Sequence, residues 1–250
     1  PLAVLDLDAF DHNAHQMRQR ALGLPIRVAS KSLRCPQAIE RALAIEGFSG
    51  VLGFSLAEAI GLAERGIDDI VVAYPSVDLA SISRIGADDA LRSTITLMVD
   101  SIEHLDLLQP HARGGPIRIA IDVDASLSMI RGRLHVGARR SPLHQADQVV
   151  DFAREVLRRP GLRLVGLMAY EGQIASVPDT GRGPSSLAKR GMRVVSAREL
   201  SRRRRRVVED VRELCDLEFI NGGGTGSISL SAAEGNLTEV AAGSGFFSPT

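Results

Sequence analysis

The sequence predicts an α/β fold, a closed (β/α)8 or TIM barrel, and three observations predict it. Short β-branched runs alternate with helical stretches along the chain, the last two runs each lead into a glycine-rich turn, and one of only two lysines closes an early run. With 250 residues, 44% of them hydrophobic, the chain can bury a full core, and residues 1–250 are read as one barrel domain.

The strand candidates run from Leu2 to Leu7, Ile26 to Ser30, Val51 to Phe54, Ile70 to Tyr74, Ile95 to Val99, Ile117 to Val123, Leu164 to Ala169, Leu217 to Ile220 and Thr238 to Ala242. Capping-box spacing predicts helix starts at Ser55 with Glu58, Ser196 with Glu199 and Ser231 with Glu234, and Gly66 and Gly161 fall where helices should stop. Cys35-Pro36 opens another helix, with Ile39, Ala42, Leu43 and Ala44 grouped on one face. These strands exceed an eight-stranded barrel by one, so either the first or the last lies outside it. A doubly wound open sheet would need a crossover about halfway, and nothing marks one.

Composition narrows the function classes. The formal net charge is zero, which gives no reason to expect a polyanion partner. Two cysteines, Cys35 and Cys215, make no disulfide framework, and a reducing, cytoplasmic location is expected. Apolar runs such as Ile70 to Tyr74 are too short to span a bilayer. With Pro1 at one end and Thr250 at the other, the chain is read as a segment of a longer soluble protein. The run from Arg202 to Arg206 is read as part of a solvated barrel helix, because consecutive helical residues point ~100° apart and acids surround the run. Among the histidines, His12, His15, His104, His111, His135 and His144, none has zinc-ligand company, and only His135 suggests an acid or base at the mouth. Asp122 and Asp124 alternate at a strand end and either shape the mouth or bond to backbone there. Residues from Val177 to Ser186 read as a long loop, a lid or a disordered stretch.

The chemistry centres on Lys31. Of thirty Lys plus Arg, only Lys31 and Lys189 are lysines, and Lys31 ends the run that begins at Ile26. An amine can lose its proton when desolvated and attack a carbonyl, which a guanidinium cannot do. After the last two strands come Asn221-Gly222-Gly223-Gly224-Thr225-Gly226-Ser227 and Gly243-Ser244-Gly245, where barrels of this class cradle phosphate with backbone amides. Neither turn continues into the Gly-Lys-Ser/Thr of a nucleotide-hydrolysing loop. A reactive amine facing a phosphate cradle suggests pyridoxal phosphate.

Leu5 to Phe10 with Asn13, the Lys31-x-x-x-Cys35-Pro36 segment, Gly166 to Gly172 and the turn from Asn221 to Ser227 together resemble the alanine racemase N-terminal barrel family of pyridoxal-phosphate enzymes. The likeness is greatest to its D-threonine aldolase and D-serine dehydratase branch and to bacterial amino acid deaminase/aldolase proteins. It implies an internal Schiff base on Lys31, with Gly223, Gly224, Thr225, Gly226, Gly243 and Ser244 at the phosphate, Asn221 beside them, Tyr170 lining the pocket and Arg133 approaching the phenolic oxygen. It also assigns the Leu2 to Leu7 strand to a C-terminal β domain that this segment lacks, where relatives hold a divalent metal, and it implies a homodimer. Family racemases carry an arginine just ahead of the second glycine turn, where this chain has Ala241. The resemblance therefore points to a lyase acting on small D-configured or 3-hydroxy amino acids, with racemisation or a non-catalytic pyridoxal-phosphate carrier as the alternatives.

Overall fold

The computed structural model describes residues 4–129, 134–137, 139–171 and 184–247, apart from the side chains of 128, 129, 134–136 and 184–197. In chain order the elements are α1 (Leu7–Arg20), β1 (Ile26–Ala29), α2 (Ser30–Leu33), α3 (Pro36–Leu43), β2 (Phe48–Gly53), α4 (Leu56–Ala63), β3 (Ile70–Val72), α5 (Leu79–Ala87), α6 (Asp89–Thr94), β4 (Ile95–Val99), α7 (Ile102–Leu108) and β5 (Ile117–Asp122). There follow β6 (Leu127–Met129), β7 (Leu134–Val136), α8 (Ala146–Leu157), β8 (Leu162–Ala169), α9 (Pro184–Arg212), β9 (Phe219–Gly222), α10 (Ile228–Ala232) and β10 (Glu239–Ala242).

Eight parallel strands close in the order β1-β10-β9-β8-β5-β4-β3-β2, with Ile26 opposite Val240 and Val28 opposite Ala242 at the seam. The expected barrel is therefore present, and it begins with the Lys31 strand. Alternation sorts the side chains. Ile26, Val28, Val240 and Ala242 turn out to the helices, while Val71, Met98, Ala120, Val165, Met168 and Phe219 fill the barrel interior. Val165 and Met168 both join the interior although three residues apart, because β8 shifts register against β5 near Gly166.

The end of the barrel opposite the mouth is plugged by charge. Arg27 is 2% exposed and meets Glu239 through Nε at 2.6 Å and Nη2 at 2.7 Å, with Asp69 Oδ2 2.9 Å away. Asn221 Nδ2 donates to the same Glu239 at 2.8 Å, and the Arg27 guanidinium lies over the Phe219 ring. Burial opposes the Arg27 charge, but Glu239 and Asp69 more than offset it and raise its pKa.

Four sequence readings change. Leu7 opens a helix whose Asp6 cap accepts from Ala9 N, so the expected Leu2 to Leu7 strand can reach no further than Asp6, and the described residues 4–6 have no strand beside them to pair with. Ser196 and Glu199 fall inside the long α9 rather than at a helix start, and Ser231 falls inside α10, which Ser227 precedes. An antiparallel pair of strands, β6 with β7, follows β5 in a stretch for which the sequence reading names no strand. Within the arginine run, Arg203 and Arg204 are buried rather than solvated, because their forks satisfy carbonyls and carboxylates behind the sheet. The Ser55 cap is as expected, its hydroxyl accepting from Glu58 N, and Gly66 takes φ +84 just past α4.

Candidate active site

The mouth is built where the strands end. Past β1 the chain turns at once into α2, which places Lys31 on the rim, and Arg34 at φ 54 closes that short helix. Ser30 Oγ donates to Glu58 Oε2 at 2.6 Å, and the same oxygen accepts from Phe54 N at 2.7 Å, so one carboxylate ties the Lys31 turn to the end of β2. Lys31 Nζ lies 3.3 Å from Tyr74 Oη and 5.9 Å from the centre of the Tyr170 ring. The lysine is exposed at the open rim. The desolvation expected from the sequence therefore has to come from whatever fills the pocket or covers its mouth.

A pocket with about 620 Å³ of free space, counted out to solvent, joins the predicted residues. Lys31 and Tyr170 form one wall; Asn221, Gly223, Gly224 and Thr225 form another, next to Gly243 and Ser244. Gly226 lies on the same turn outside the lining, and Arg133 and His135 lie outside the described side chains. Of the loop from Val177 to Ser186, residues 177–183 lie outside the description and 184 already begins α9.

The two glycine turns form a donor set. Gly243 N and Gly245 N donate to Thr225 Oγ1 at 3.4 and 3.2 Å, and Ser244 Oγ lies 3.1 Å from the same oxygen. The backbone N–H groups of Thr225 and Ser244 find no acceptor among the described residues. Two amides and a hydroxyl aimed at one oxygen, with two more amides open beside it, match what a phosphate oxygen requires. Helix α1 braces both turns from behind: Asn13 Nδ2 donates to Phe246 O at 2.9 Å, Arg20 Nη2 to Thr225 O at 2.6 Å, and Phe10 stacks on Phe246 at 4.6 Å. A Cβ on Gly243 would lie 2.7 Å from Ala29 O and 2.8 Å from Ser32 Oγ, so only glycine lets the second turn meet the Lys31 strand.

Two site residues escaped the sequence reading. Tyr74 is one of the chain's two tyrosines, and both line this pocket; that scarcity was the available signal. Arg140 was hidden among many arginines. Its guanidinium lies 4.9 Å from the Tyr74 ring centre and 5.6 Å from that of Tyr170, and it donates to Ala73 O at 2.8 Å.

Asp122 supports Arg140 from inside the barrel at 3.5 Å, while Asp124 bonds instead to Ser126 and His144, which separates the two acids. Asp122 is 1% exposed, and burial pushes its carboxyl up to about 6 against the pull of Arg140. For Asp124, burial pushes up but the hydrogen bonds from His144 and Ser126 prevail and lower it. Because folded Asp122 holds its proton more tightly than the unfolded chain does, it subtracts stability as pH rises from about 4 to about 6. Asp122→Asn is expected to remove that fall, so its guanidinium-denaturation stability gains on wild type by about 2–3 kcal/mol between pH 4 and pH 7. A difference that stays flat across this range would refute the assignment.

No group of three or more His, Cys, Asp or Glu among the described residues could hold a metal, and no helix among them is long and apolar enough to cross a membrane. A family model for the alanine racemase N-terminal domain matches residues 5–247. The chain belongs to that family. Within the alanine racemase N-terminal domain family it is similar to the 3-hydroxy-D-aspartate aldolase of Paracoccus denitrificans, 28% identical over 98% of this chain and 59% of the relative. It is likewise 28% identical to the D-threonine aldolase of an Arthrobacter species, over 98% of this chain and 60% of that one. The crystal structure of D-threonine aldolase from Filomicrobium marinum superposes with a TM-score of 0.80 at 24% identity, covering 98% of this chain and 61% of that one, a likeness of fold. The chain thus spans about three fifths of the length of the curated relatives it matches.

Proposed function

We propose that this chain is the cofactor-binding barrel of a pyridoxal-phosphate-dependent lyase that acts on small D-configured 3-hydroxy amino acids, by aldol cleavage or by loss of the hydroxyl with deamination. One observation carries the reading. A rim amine faces, across one pocket, two glycine turns that are tied together where the donors of the second meet Thr225 Oγ1 of the first. An aldehyde and a phosphate on the same small ring would fit those two walls. Pyridoxal phosphate, when bound, supplies an electron-withdrawing ring that stabilises negative charge developing on the substrate's α-carbon.

The chain's own groups do the rest. Lys31 would be the amine that holds the cofactor's aldehyde, and its Nζ, when free, would move protons at the substrate. Tyr74 Oη, within hydrogen-bond reach of Nζ, shares that proton, and Tyr170 walls the pocket beside it. Arg140 keeps both tyrosine faces in place while Asp122 holds its fork. Ala241 lines the floor where family racemases carry arginine, so no cation at that position restrains electron withdrawal, which favours a lyase over a racemase. The relatives named above, two aldolases, support the same class.

A homodimer, a cytoplasmic location and a divalent metal held outside the described residues belong to the same proposal; Cys35 and Cys215, both unbridged, agree with a reducing compartment. The test incubates the protein with pyridoxal phosphate and a divalent cation and offers D-threonine, 3-hydroxy-D-aspartate, D-serine and D-alanine. Glycine plus aldehyde, or oxoacid plus ammonia, is expected from the hydroxy amino acids. L-alanine as the dominant product would overturn the lyase reading.

A further inference from the structure

We propose that Glu171, buried behind the first glycine turn, is a positioning residue that presets the anion cradle, so that affinity for the phosphate of a ligand depends on a carboxylate that does not line the pocket. The inference rests on the reading that the two turns hold the phosphate of pyridoxal phosphate.

Tyr170 and Glu171 are neighbours at the end of β8, and they serve opposite sides of the turn. Tyr170 lines the pocket beside Lys31, whereas Glu171 reaches behind the turn at 1% exposure. Its Oε2 accepts from Gly223 N at 3.0 Å and from Arg204 Nη2 at 2.9 Å. Its Oε1 accepts from Ser231 Oγ and, at 3.4 Å, from Ser227 Oγ. Every donor faces one of two oxygens, so the carboxylate is filled and has no capacity left for a ligand. Arg204, itself 3% exposed, fixes the carboxylate from the far side through Ala169 O at 2.8 Å and Glu234 at 2.6 Å.

These bonds decide where the turn's own donors go. Gly223 sits at φ +78, and its N–H is drawn back to Glu171, away from the pocket. Ser227 caps Gly224 N at 3.0 Å, with its hydroxyl also within reach of Glu171. With the start of the turn held from behind, Thr225 is left lining the pocket, and its Oγ1 meets the donors of the second turn. A carboxylate is suited to this task because it accepts four bonds and donates none. The amide of a glutamine there would set its NH2 either against the N–H of Gly223 and the fork of Arg204 or, turned over, against the hydroxyls of Ser231 and Ser227, which would have to reverse, and in both cases it removes the charge that Arg204 pairs with.

The experiment titrates wild type, Glu171→Gln and Ser231→Ala with pyridoxal phosphate and, separately, with pyridoxal, which lacks the phosphate, following absorbance of the bound chromophore. Glu171→Gln is expected to weaken pyridoxal phosphate about tenfold to a hundredfold while pyridoxal stays within about twofold of wild type. Ser231→Ala is expected to show the same selective loss, about threefold to tenfold, and carries the test if Glu171→Gln does not fold. Equal weakening of both ligands would mean a general loss of structure and overturns the proposal, as does unchanged binding of pyridoxal phosphate. A wild-type protein that binds neither ligand overturns the underlying cofactor reading and this inference with it.

Discussion

Replacing Lys31 with alanine is expected to lower any lyase activity by at least about a thousandfold and to abolish covalent capture of pyridoxal phosphate. The chain contains only two lysines, which makes the measurement nearly binary. Borohydride reduction of the loaded protein followed by peptide mapping should place the tag on Lys31 and leave Lys189 unmodified. Lys31→Arg should fail as completely as alanine, because a guanidinium keeps the charge but supplies no free amine. The cradle should survive both changes, since none of its donors bonds to Lys31. Inorganic phosphate should therefore still protect the variants against unfolding. A tag found on Lys189, or full activity in Lys31→Ala, would end the account.

The largest effect on stability is expected at the barrel plug. Glu239→Ala would leave the Arg27 guanidinium inside the sheet with only Asp69 as a charged partner, and Asp69 is 46% exposed. Removing one member of a buried pair costs about 3–5 kcal/mol, and the surviving Asp69 contact places this case near the lower end. The double variant Arg27→Met, Glu239→Leu should recover much of that loss, because it removes the stranded charge instead of exposing it to an apolar core. Guanidinium midpoints measured at constant m-value would show both results. A Glu239→Ala protein within about 0.5 kcal/mol of wild type would show that the plug is decorative. Asn221 would lose its acceptor in the single variant, so the pocket floor should loosen along with the plug.

Much of this molecule is legible in its sequence. The strand runs carried their own signal because β-branched residues bounded by proline, glycine and serine are local, and eight of the nine candidates became barrel strands. The ninth, which starts at Leu2, loses Leu7 to the helix that Asp6 caps, and residues 2 and 3 lie outside the described ones. Lysine scarcity and the two glycine turns located three corners of one pocket. The arginine run misled because a composition rule treats charge as solvated, whereas Arg203 and Arg204 lie against the carbonyls of Asp124, past the end of β5, and of Ala169, at the end of β8.

The sequence by itself determined the barrel, the position of the rim amine and the glycine turns, since each depends on residue type and spacing along the chain. Only the tertiary structure decided what these parts face. Closure of the sheet brings Glu239 to Arg27 across 212 positions, Asn13 to Phe246 across 233 and Gly223 to Glu171 across 52. Tyr74, Arg140 and Glu171 acquire their roles from those meetings, because a hydrogen bond or an ion pair depends on separation in space and leaves no periodic trace in the chain.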